Sequence, residues 1–202
     1  MTPTAPGTRP SEARQRLLAT ATRIFYSEGI HSVGVDRIIA EAKVTRATFY
    51  RHFPSKDDLI LAYLREIHEM DRGAVDAVIT TEPRPVAPLL AIATFIAEHI
   101  QSPGFRGCAF LNAAAEYPDA AHPVRQEIIA HRQWFLDTLT TLMARVEEET
   151  AESAARHFVM LRDGAMAAGC LFDPALVSET FLRGVEGLLR ITAERQSAES
   201  AG

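Results

Sequence analysis

The stretch Lys43–Leu59, KVTRATFYRHFPSKDDL, decides how this chain is interpreted. Its seventeen residues include two arginines, two lysines, one histidine and three aromatic side chains. The protein as a whole carries a net charge of -5. A dense group of cations and rings in an acidic protein indicates a surface that meets a negatively charged partner.

Charge is distributed unevenly along the chain. Residues 1–56 contain nine Lys and Arg against four Asp and Glu, a balance of +5, whereas residues 57–202 contain 12 against 22. A basic end on an acidic body is typical of a module that binds a polyanion, joined to a part that does not touch it. Because solvated surfaces also produce such asymmetry by accident, charge alone leaves both interpretations open.

Length and composition exclude several classes of protein. With 202 residues and 47% hydrophobic content, the chain suits one substantial domain or a small domain beside a larger one. No apolar run approaches the roughly 18 residues of a membrane span, and Met1–Pro10 lacks the order of a signal peptide, so we expect a cytoplasmic protein. Cys108 and Cys170 show no C-x-x-C spacing, which indicates neither a zinc site nor a disulfide framework. We expect no metal and no cofactor.

Apolar periodicity predicts helices on both sides of a tight turn. One helical face recurs through Ser11–Glu28, and Gly29 is suited to end that helix in a left-handed conformation. A second helix, Val35–Ala42, is too short to be stable without packing against neighbours.

The basic stretch itself has the parts of a helix-turn-helix. Residues 43–44 form the turn, the hydroxyl of Thr45 can cap a third helix over Arg46–Phe53, and Pro54 stops it. A short helix, a tight turn and a second short helix make up that motif. The S-x-x-D sequence at residues 55–58 then has the form of a capping box that opens a longer fourth helix.

The run Gly34–Leu59, with the order T-F-Y-x-H-F-x-S-K within Thr45–Lys56, resembles the DNA-binding segment of the TetR family of transcriptional regulators. The resemblance extends over Leu17–Leu64. It implies an all-helical, cytoplasmic homodimer in which three N-terminal helices bind operator DNA and a larger variable domain binds a small effector. The family commonly has glycine at the turn, where this chain has Lys43. A lysine in a left-handed turn costs roughly 1 kcal/mol relative to glycine.

The rest of the chain also reads as helical, without strand-like alternation or an internal repeat. The remaining predicted segments are Leu89–Gln101, Phe105–Tyr117, Val124–Glu147, Ala151–Leu171 and Pro174–Arg195. We therefore predict an all-α fold of about nine helices. Residues 1–56 form a helix-turn-helix DNA-binding domain, and residues 57–202 form a helical effector-binding and dimerisation domain.

DNA chemistry suggests a role for the polar residues of the motif. The second short helix of a helix-turn-helix enters the major groove, where Arg46 can donate two hydrogen bonds to guanine, Ala47 can touch a thymine methyl group and Thr48 can make either contact. Similarity to the family gives phosphate contacts to Tyr50, His52 and Lys56. The predicted DNA-binding residues are Arg37, Lys43, Thr45, Arg46, Ala47, Thr48, Tyr50, His52 and Lys56.

The same residues also fit other roles. The polar ones could form only a solvated basic face, and Arg37 could contact a phosphate or nothing. Phe49 and Phe53 are four residues apart on one helical face, which predicts that they belong to the core.

Small residues in the last two helices suggest a dimer interface. Gly164, Ala165, Ala168 and Gly169 form one strip, and Gly184 and Gly187 lie among large apolar residues of the last helix. Glycine within a helix costs roughly 0.8 to 1 kcal/mol relative to alanine, which close helix packing across a two-fold axis offsets. Packing within one subunit is the alternative. The predicted interface residues are Gly164, Ala168, Gly184 and Leu188.

The middle helices contain candidates for an effector cavity, mostly apolar or aromatic residues with a few polar ones among them. They are Phe95, His99, Cys108, Phe110, Asn112, Glu116, Trp134, Phe135, Met160, Asp163 and Met166. The Trp134-Phe135 pair is also typical of a core, and Cys108 of a small buried apolar residue. Asn112 and Glu116 lie four apart and face one direction, which also suits an exposed or interhelical role.

Catalytic motifs are absent from the sequence. It contains no H-E-x-x-H, no G-x-S-x-G, no phosphate-cradling glycine loop and no dinucleotide fingerprint, so we predict no catalytic residues and no enzyme. The expected partners are operator DNA, an unidentified small molecule and a second copy of the chain, without a membrane. The resemblance favours a ligand-responsive repressor that releases its operator when a small molecule binds the C-terminal domain. The alternative is an interaction module that keeps the DNA-binding shape, or an activator without a small-molecule inducer, because the residues do not distinguish a repressor from an activator.

Overall fold

The structure, a computed structural model, describes residues 11–81 and 85–199. Within these ranges the chain forms nine α-helices and no strand, which confirms the predicted all-α fold. Residues 1–10, 82–84 and 200–202 of the predicted domains lie outside the described part. The helices are α1 (Glu12–Glu28), α2 (Val35–Ala42), α3 (Arg46–His52), α4 (Lys56–Thr81), α5 (Ala87–Ile100), α6 (Ala109–Glu116), α7 (Pro123–Ala144), α8 (Ala151–Ala168) and α9 (Pro174–Glu199).

Two compact units divide between Arg65 and Glu66, later in the chain than the predicted boundary at residue 56. The first turns of α4 belong to the first unit because they contribute to its core. Tyr63 is buried there, and its ring meets that of Phe25 from α1 edge-to-face, with 5.7 Å between the ring centres. The first unit therefore contains α1, α2, α3 and the start of α4.

Helix α1 begins and ends close to the predicted residues. The Ser11 hydroxyl accepts the N–H of Arg14 at 3.2 Å and caps the helix. Gly29 has φ 89° and ψ 155°. The positive φ suits glycine, but this is not the left-handed helical conformation, so that part of the prediction is wrong. The Gly29 N–H still donates to Phe25 at 3.0 Å, and the extended ψ then leads the chain to the buried Ile30.

The turn between α2 and α3 matches its prediction. Lys43 adopts the left-handed conformation, with φ 53° and ψ 49°. The Val44 N–H donates to the carbonyl of Ile39 at 3.2 Å, which closes the end of α2. The Thr45 hydroxyl accepts the N–H of Thr48 at 3.1 Å and caps α3. The turn and the cap together fix the direction in which α3 leaves α2.

A capping box fixes the start of α4, as the sequence predicts. The Ser55 N–H donates to the Asp58 carboxylate at 2.9 Å, and the Asp58 N–H donates to the Ser55 hydroxyl at 3.1 Å. Two N–H groups that the helix itself cannot pair are thereby satisfied. The long helix begins directly after the end of α3 as a result.

The second unit is a helical bundle in which α7 packs on α8, α5 on α9, and α8 on α9. Phe158 and Phe181 meet edge-to-face in its core, with 6.1 Å between ring centres. Asp173 caps α9 by accepting the N–H of Ala175 at 2.8 Å, as predicted. Among the described residues, no helix has the length and apolar character that crossing a membrane requires.

Several helix ends differ from those predicted by the apolar periodicity, among them the end of α9, which lies at Glu199 rather than Arg195. Helix α6 begins at Ala109 rather than near Phe105, because Gly104 and Gly107 adopt positive φ angles of 77° and 82° and interrupt the helix. Helix α7 ends before Glu147, whose carboxylate accepts the N–H groups of residues 149 and 150, each at 2.7 Å, and organises the next turn. Helix α8 ends at Ala168 rather than Leu171.

Candidate DNA interface and candidate effector site

Helix α3 turns Phe49 inward, and most of its polar residues point outward. Phe49 and Phe53 are buried, as predicted for core residues. The turn and the helix expose Lys43, Thr45, Arg46, Ala47 and Tyr50, while Thr48 and His52 are half-buried. The structure thus gathers these seven predicted DNA contacts on α3 and the turn before it.

Arg46, the first residue of α3, forms an ion pair with Asp36 of α2. Both side chains are open to solvent, with 62% of Arg46 and 77% of Asp36 exposed. An exposed pair of this kind contributes little to stability. It nevertheless places the guanidinium across the α2–α3 turn while leaving it accessible to a partner.

Arg37, the predicted contact on α2, is engaged by two carboxylates. Its guanidinium donates to both oxygens of Glu28, one of them at 2.7 Å, and its Nε donates to Glu41 at 2.8 Å. Arg23 also pairs with Glu41. These hydrogen bonds lower the pKa values of Glu28 and Glu41. A phosphate contact from Arg37 therefore requires it to share or exchange partners in a network that joins α1 to α2.

His52 and Lys56 also have partners within the first unit. The His52 Nε2 lies 3.0 Å from the hydroxyl of Ser11. The Lys56 ammonium donates to the carbonyl of Ile30 at 2.6 Å and lies 5.8 Å from the centre of the Phe25 ring. The Lys56 side chain thus points to the segment between α1 and α2, and it must leave that carbonyl to reach a phosphate.

A buried polar cluster lies within the second unit, centred on His131 of α7. His131 is only 6% exposed, and its ring stacks on Phe110 with 3.5 Å between ring centres and an interplanar angle of 1°. Its Nδ1 lies 3.0 Å from the Nδ1 of His68, and its Nε2 lies 3.9 Å from the carboxylate of Asp71. Trp134 contacts both histidine rings. Two residues of α4 and two of α7 therefore meet α6 here.

Arg162 of α8 extends the cluster. Its side chain is buried, and it donates to Asp163 at 2.9 Å and to the Cys108 sulfur at 3.2 Å. Arg132 donates to the same carboxylate at 3.2 and 2.5 Å. The Arg162 guanidinium lies 5.8 Å from the centre of the Phe135 ring. A buried arginine is costly unless it is paired, and here a carboxylate, a thiol and an aromatic ring surround it.

Burial changes the proton affinities of the cluster. It lowers the pKa of His131 to about 3, and Coulomb interactions with His68, Arg162 and Arg132 act in the same direction. It raises the pKa of Asp71 to about 6, which the nearby Arg162 opposes. At neutral pH the buried His131 ring is therefore uncharged. Within the described residues, no three His, Cys, Asp or Glu side chains are grouped to hold a metal ion.

An apolar groove of about 840 Å³ runs along α8 and α9. The predicted interface residues Gly164, Ala168 and Leu188 line it. Met160 lies there too and is 71% exposed, so this residue belongs to the groove rather than to the cluster around His131. An apolar surface of this extent is typical of a site that another molecule covers.

Close packing within the subunit explains some of the glycines in and directly after α8 and α9, but not all of them. A Cβ at Gly169 would lie 2.7 Å from Ile100 and 2.9 Å from Phe105, so packing within the subunit explains this glycine, which the sequence analysis placed on the interface strip. A Cβ at Gly184 would lie 3.3 Å from Leu161 of the same chain. A Cβ at Gly164 would meet no atom within 4 Å, so packing within the subunit does not explain why this residue is glycine.

Comparison with known proteins identifies the family. Residues 17–63 match the family model of the bacterial regulatory proteins of the tetR family. The crystal structure of SCO4454, a TetR-family transcriptional regulator from Streptomyces coelicolor, is 65% identical in sequence, covers 90% of this chain and 96% of that one, and superimposes with a TM-score of 0.88. The chain belongs to the TetR family. It is a DNA-binding transcriptional regulator, and TetR regulators are typically dimers.

Curated relatives of this TetR-family protein differ in their direction of regulation. The transcriptional activator FasR of Mycolicibacterium smegmatis is 36% identical over 118 residues, 56% of this chain and 52% of FasR. The transcriptional repressor DhaR of Mycobacterium sp. strain GP1 is 28% identical over 122 residues, 60% of this chain and 61% of DhaR. The chain thus spans about half to three fifths of these relatives.

The structure brings some predicted effector residues together and leaves others apart. Phe110, Cys108, Trp134, Phe135 and Asp163 lie in or around the buried cluster. The other predicted residues lie elsewhere or contact different groups. Phe95 is exposed, His99 contacts the ring of Phe105, Asn112 is exposed and donates to the carbonyl of Arg106, Glu116 is half-buried, and Met166 is buried on α8.

Four central residues of the cluster were not among the predicted effector residues: His68, Asp71, His131 and Arg162. A signal for them is present in the helical spacing. Leu64 and Val75 bracket His68 and Asp71 on one face of α4, and polar residues in the same way interrupt the apolar faces of α7 and α8. A polar residue at a position that the spacing makes buried is unusual and often functional.

We predict a specific pH dependence of stability from His131. Between its ordinary pKa of 6.5 and about 3, the unfolded chain binds a proton that the folded chain does not, so stability falls as the pH falls through this range. His131→Phe keeps a ring on Phe110 and removes this proton. We therefore expect the wild type to lose free energy of unfolding relative to the variant on acidification, by up to about 1.4 kcal/mol per pH unit.

Denaturant unfolding of both proteins at several pH values measures this difference. Asp71 acts in the opposite direction, because its raised pKa favours the folded state at low pH. It is present in both proteins, so its contribution largely cancels. A stability difference that stays constant across the range contradicts a buried, uncharged His131.

Proposed function

We propose that this regulator is a repressor that releases its operator when a small molecule binds the second unit. The observation that carries the proposal is that α4 belongs to both units. Its first turns, with Tyr63, form part of the DNA-binding unit's core, and the same helix carries His68 and Asp71 into the buried cluster. A ligand that rearranges the cluster therefore acts on a helix that the DNA-binding unit shares.

The proposed DNA contacts follow from exposure and chemistry. Arg46, Ala47 and Thr48 at the start of α3 meet base edges in the major groove. Lys43, Thr45, Tyr50 and His52, with Arg37 and Lys56 after exchange of their present partners, contact the phosphates and set the register. The balance of +5 over residues 1–56 supports this role, because phosphate contacts supply most of the sequence-independent affinity.

We propose repression rather than activation because occupying an operator is sufficient for it. Activation requires, in addition, a surface that engages the transcription machinery. A promoter–reporter assay in cells with and without the protein tests the direction. Expression that falls when the protein is supplied supports repression, whereas a rise identifies an activator.

Arg46→Ala tests the DNA-binding role. We expect a loss of roughly 1 to 3 kcal/mol at one base pair in each half-site and relaxed preference there, because a bidentate contact to guanine disappears. Binding to a duplex selected from a random library, and to its single-base variants, measures this loss. If Arg46→Ala lowers the affinity for every DNA sequence equally, Arg46 contacts a phosphate rather than a base. A wild-type protein that selects no sequence supports the interaction-module alternative.

The groove on α8 and α9 is the proposed interface between two copies. It is apolar, it contains exposed Met160, and it includes Gly164, which has no packing reason within the subunit. Two operator half-sites one DNA turn apart require two recognition helices at a fixed separation. A symmetric contact between the same faces of two copies provides that separation.

Ala168→Arg tests this interface. We expect the variant to be a folded monomer that binds operator weakly, because an unpaired guanidinium in a closed apolar contact costs several kcal/mol. Light scattering measures the mass, and circular dichroism confirms the fold. Ala167→Arg is the matched control, since residue 167 is exposed and is not part of the groove lining. If Ala168→Arg remains a dimer of ordinary affinity, the interface lies elsewhere.

Ligand binding and operator binding must be reciprocally coupled under this proposal. A thermal-shift screen of small organic compounds supplies ligands, and each is then titrated with and without operator. We expect operator to weaken the ligand by the same factor by which the ligand weakens operator. Asp71→Asn should change ligand affinity and leave ligand-free operator binding intact, whereas the exposed Asp76→Asn, on the same helix, should change neither. If the binding of a ligand depends on Asp71 but the ligand does not change the affinity for operator, the proposed mechanism is wrong.

A further inference from the structure

Asp36 is an acidic side chain beside the first residue of the recognition helix. It lies in the first turn of α2, it is 77% exposed, and its carboxylate accepts a hydrogen bond from Arg46. The other acidic residues of this region pair with arginines of α1 and α2: Glu12 with Arg16, Glu28 with Arg37, and Glu41 with Arg23 and Arg37. A carboxylate at the DNA surface repels the phosphates. Its presence next to Arg46 therefore opposes affinity.

The geometry of the pair suggests what it contributes instead. A guanidinium has five N–H donors in a rigid fork. The Asp36 oxygen accepts from one terminal nitrogen of Arg46, which leaves further donors of the fork to meet O6 and N7 of a guanine. A long side chain held in this way has lost part of its rotamer freedom before DNA arrives, so less is lost on binding.

Asp36 also competes with DNA phosphates for the same guanidinium. On DNA without the preferred base, an unrestrained Arg46 can turn to the nearest phosphate and gain sequence-independent affinity. With Asp36 present, that movement breaks an ion pair and leaves a carboxylate facing the phosphates. Asp36 therefore weakens binding to non-preferred DNA, whereas the restraint on Arg46 favours binding to preferred DNA, and the two effects together increase specificity.

We propose that Asp36 is the positioning residue that sets the base preference of Arg46. It holds the guanidinium toward the base edges and withholds it from the phosphates. This role rests on the proposed base contact of Arg46, and it adds a residue of α2 that does not itself touch a base. The family resemblance and the exposed positions of α3 do not indicate this role.

The proposal has a signature that a structural role does not share. Asp36→Asn keeps the shape of the side chain and removes its charge. Affinity for non-preferred DNA should rise, by about threefold at low salt, because a repulsive charge is lost and Arg46 can reach a phosphate. Preference for guanine at the Arg46 position should fall by about tenfold, the lower range of one bidentate contact. A variant that only weakened the first turn of α2 would lower both affinities together.

The experiment uses the full-length protein and a duplex selected by the wild type from a randomised double-stranded DNA library. Dissociation constants are measured for this duplex, for the three base-pair replacements at each position, and for an unrelated duplex, at two salt concentrations. The proteins are wild type, Asp36→Asn, Arg46→Ala, the double variant and Glu12→Gln. Glu12 is the matched control, because it is an exposed carboxylate of the same unit that pairs with Arg16 rather than with Arg46.

Opposite changes in affinity for preferred and non-preferred DNA in Asp36→Asn, absent from Glu12→Gln, support the proposal. Because Asp36 acts through Arg46, we also expect Asp36→Asn to leave base preference unchanged when Arg46 is already alanine. If base preference is unchanged in Asp36→Asn, this inference is wrong and the DNA-binding proposal stands. The same holds if Asp36→Asn changes base preference equally in the wild-type and Arg46→Ala backgrounds. A wild-type protein that selects no sequence overturns both.

Discussion

A helix of seven residues is not stable in water, since a first turn fixes several dihedral angles for a single hydrogen bond. Helix α3 exists because Phe49 is fully buried in the first unit and because Thr45 and Phe53 close its ends. Every exposed residue of the recognition surface takes its position from that anchoring. Under the proposed DNA contacts, affinity for DNA thus depends on Phe49, an apolar side chain buried inside the first unit.

Local chemistry explains how much of the fold the sequence predicts. Caps and turns involve residues three or four apart, so Thr45, the capping box at residues 55–58 and the left-handed Lys43 could be predicted from the chain alone. The direction of the Lys56 side chain could not. Its partner is the carbonyl of Ile30, 26 residues earlier, and no pattern in a single sequence indicates a contact between a side chain and a distant backbone oxygen.

The candidate effector site was only half predictable for a related reason. Aromatic residues such as Trp134 and Phe135 attract notice wherever they fall, but a histidine among many is significant only when its neighbours are known. His131 becomes distinctive because Phe110 stacks on one face of its ring and His68 and Asp71 approach its nitrogens. These partners come from α4 and α6, so no spacing within α7 itself indicates them. Tertiary packing, rather than residue type, turns these side chains into a site.

The glycine at the end of α8 has a mechanical consequence for the second unit. With no side chain at Gly169, the α8 backbone comes so close to Ile100 and Phe105 that even a methyl group has no room. Two segments in such contact can pivot about it, but they cannot slide past each other without a clash, because packed interiors do not deform smoothly. A shift of α8 along its axis, starting at Arg162, is therefore transmitted directly to Ile100 at the end of α5.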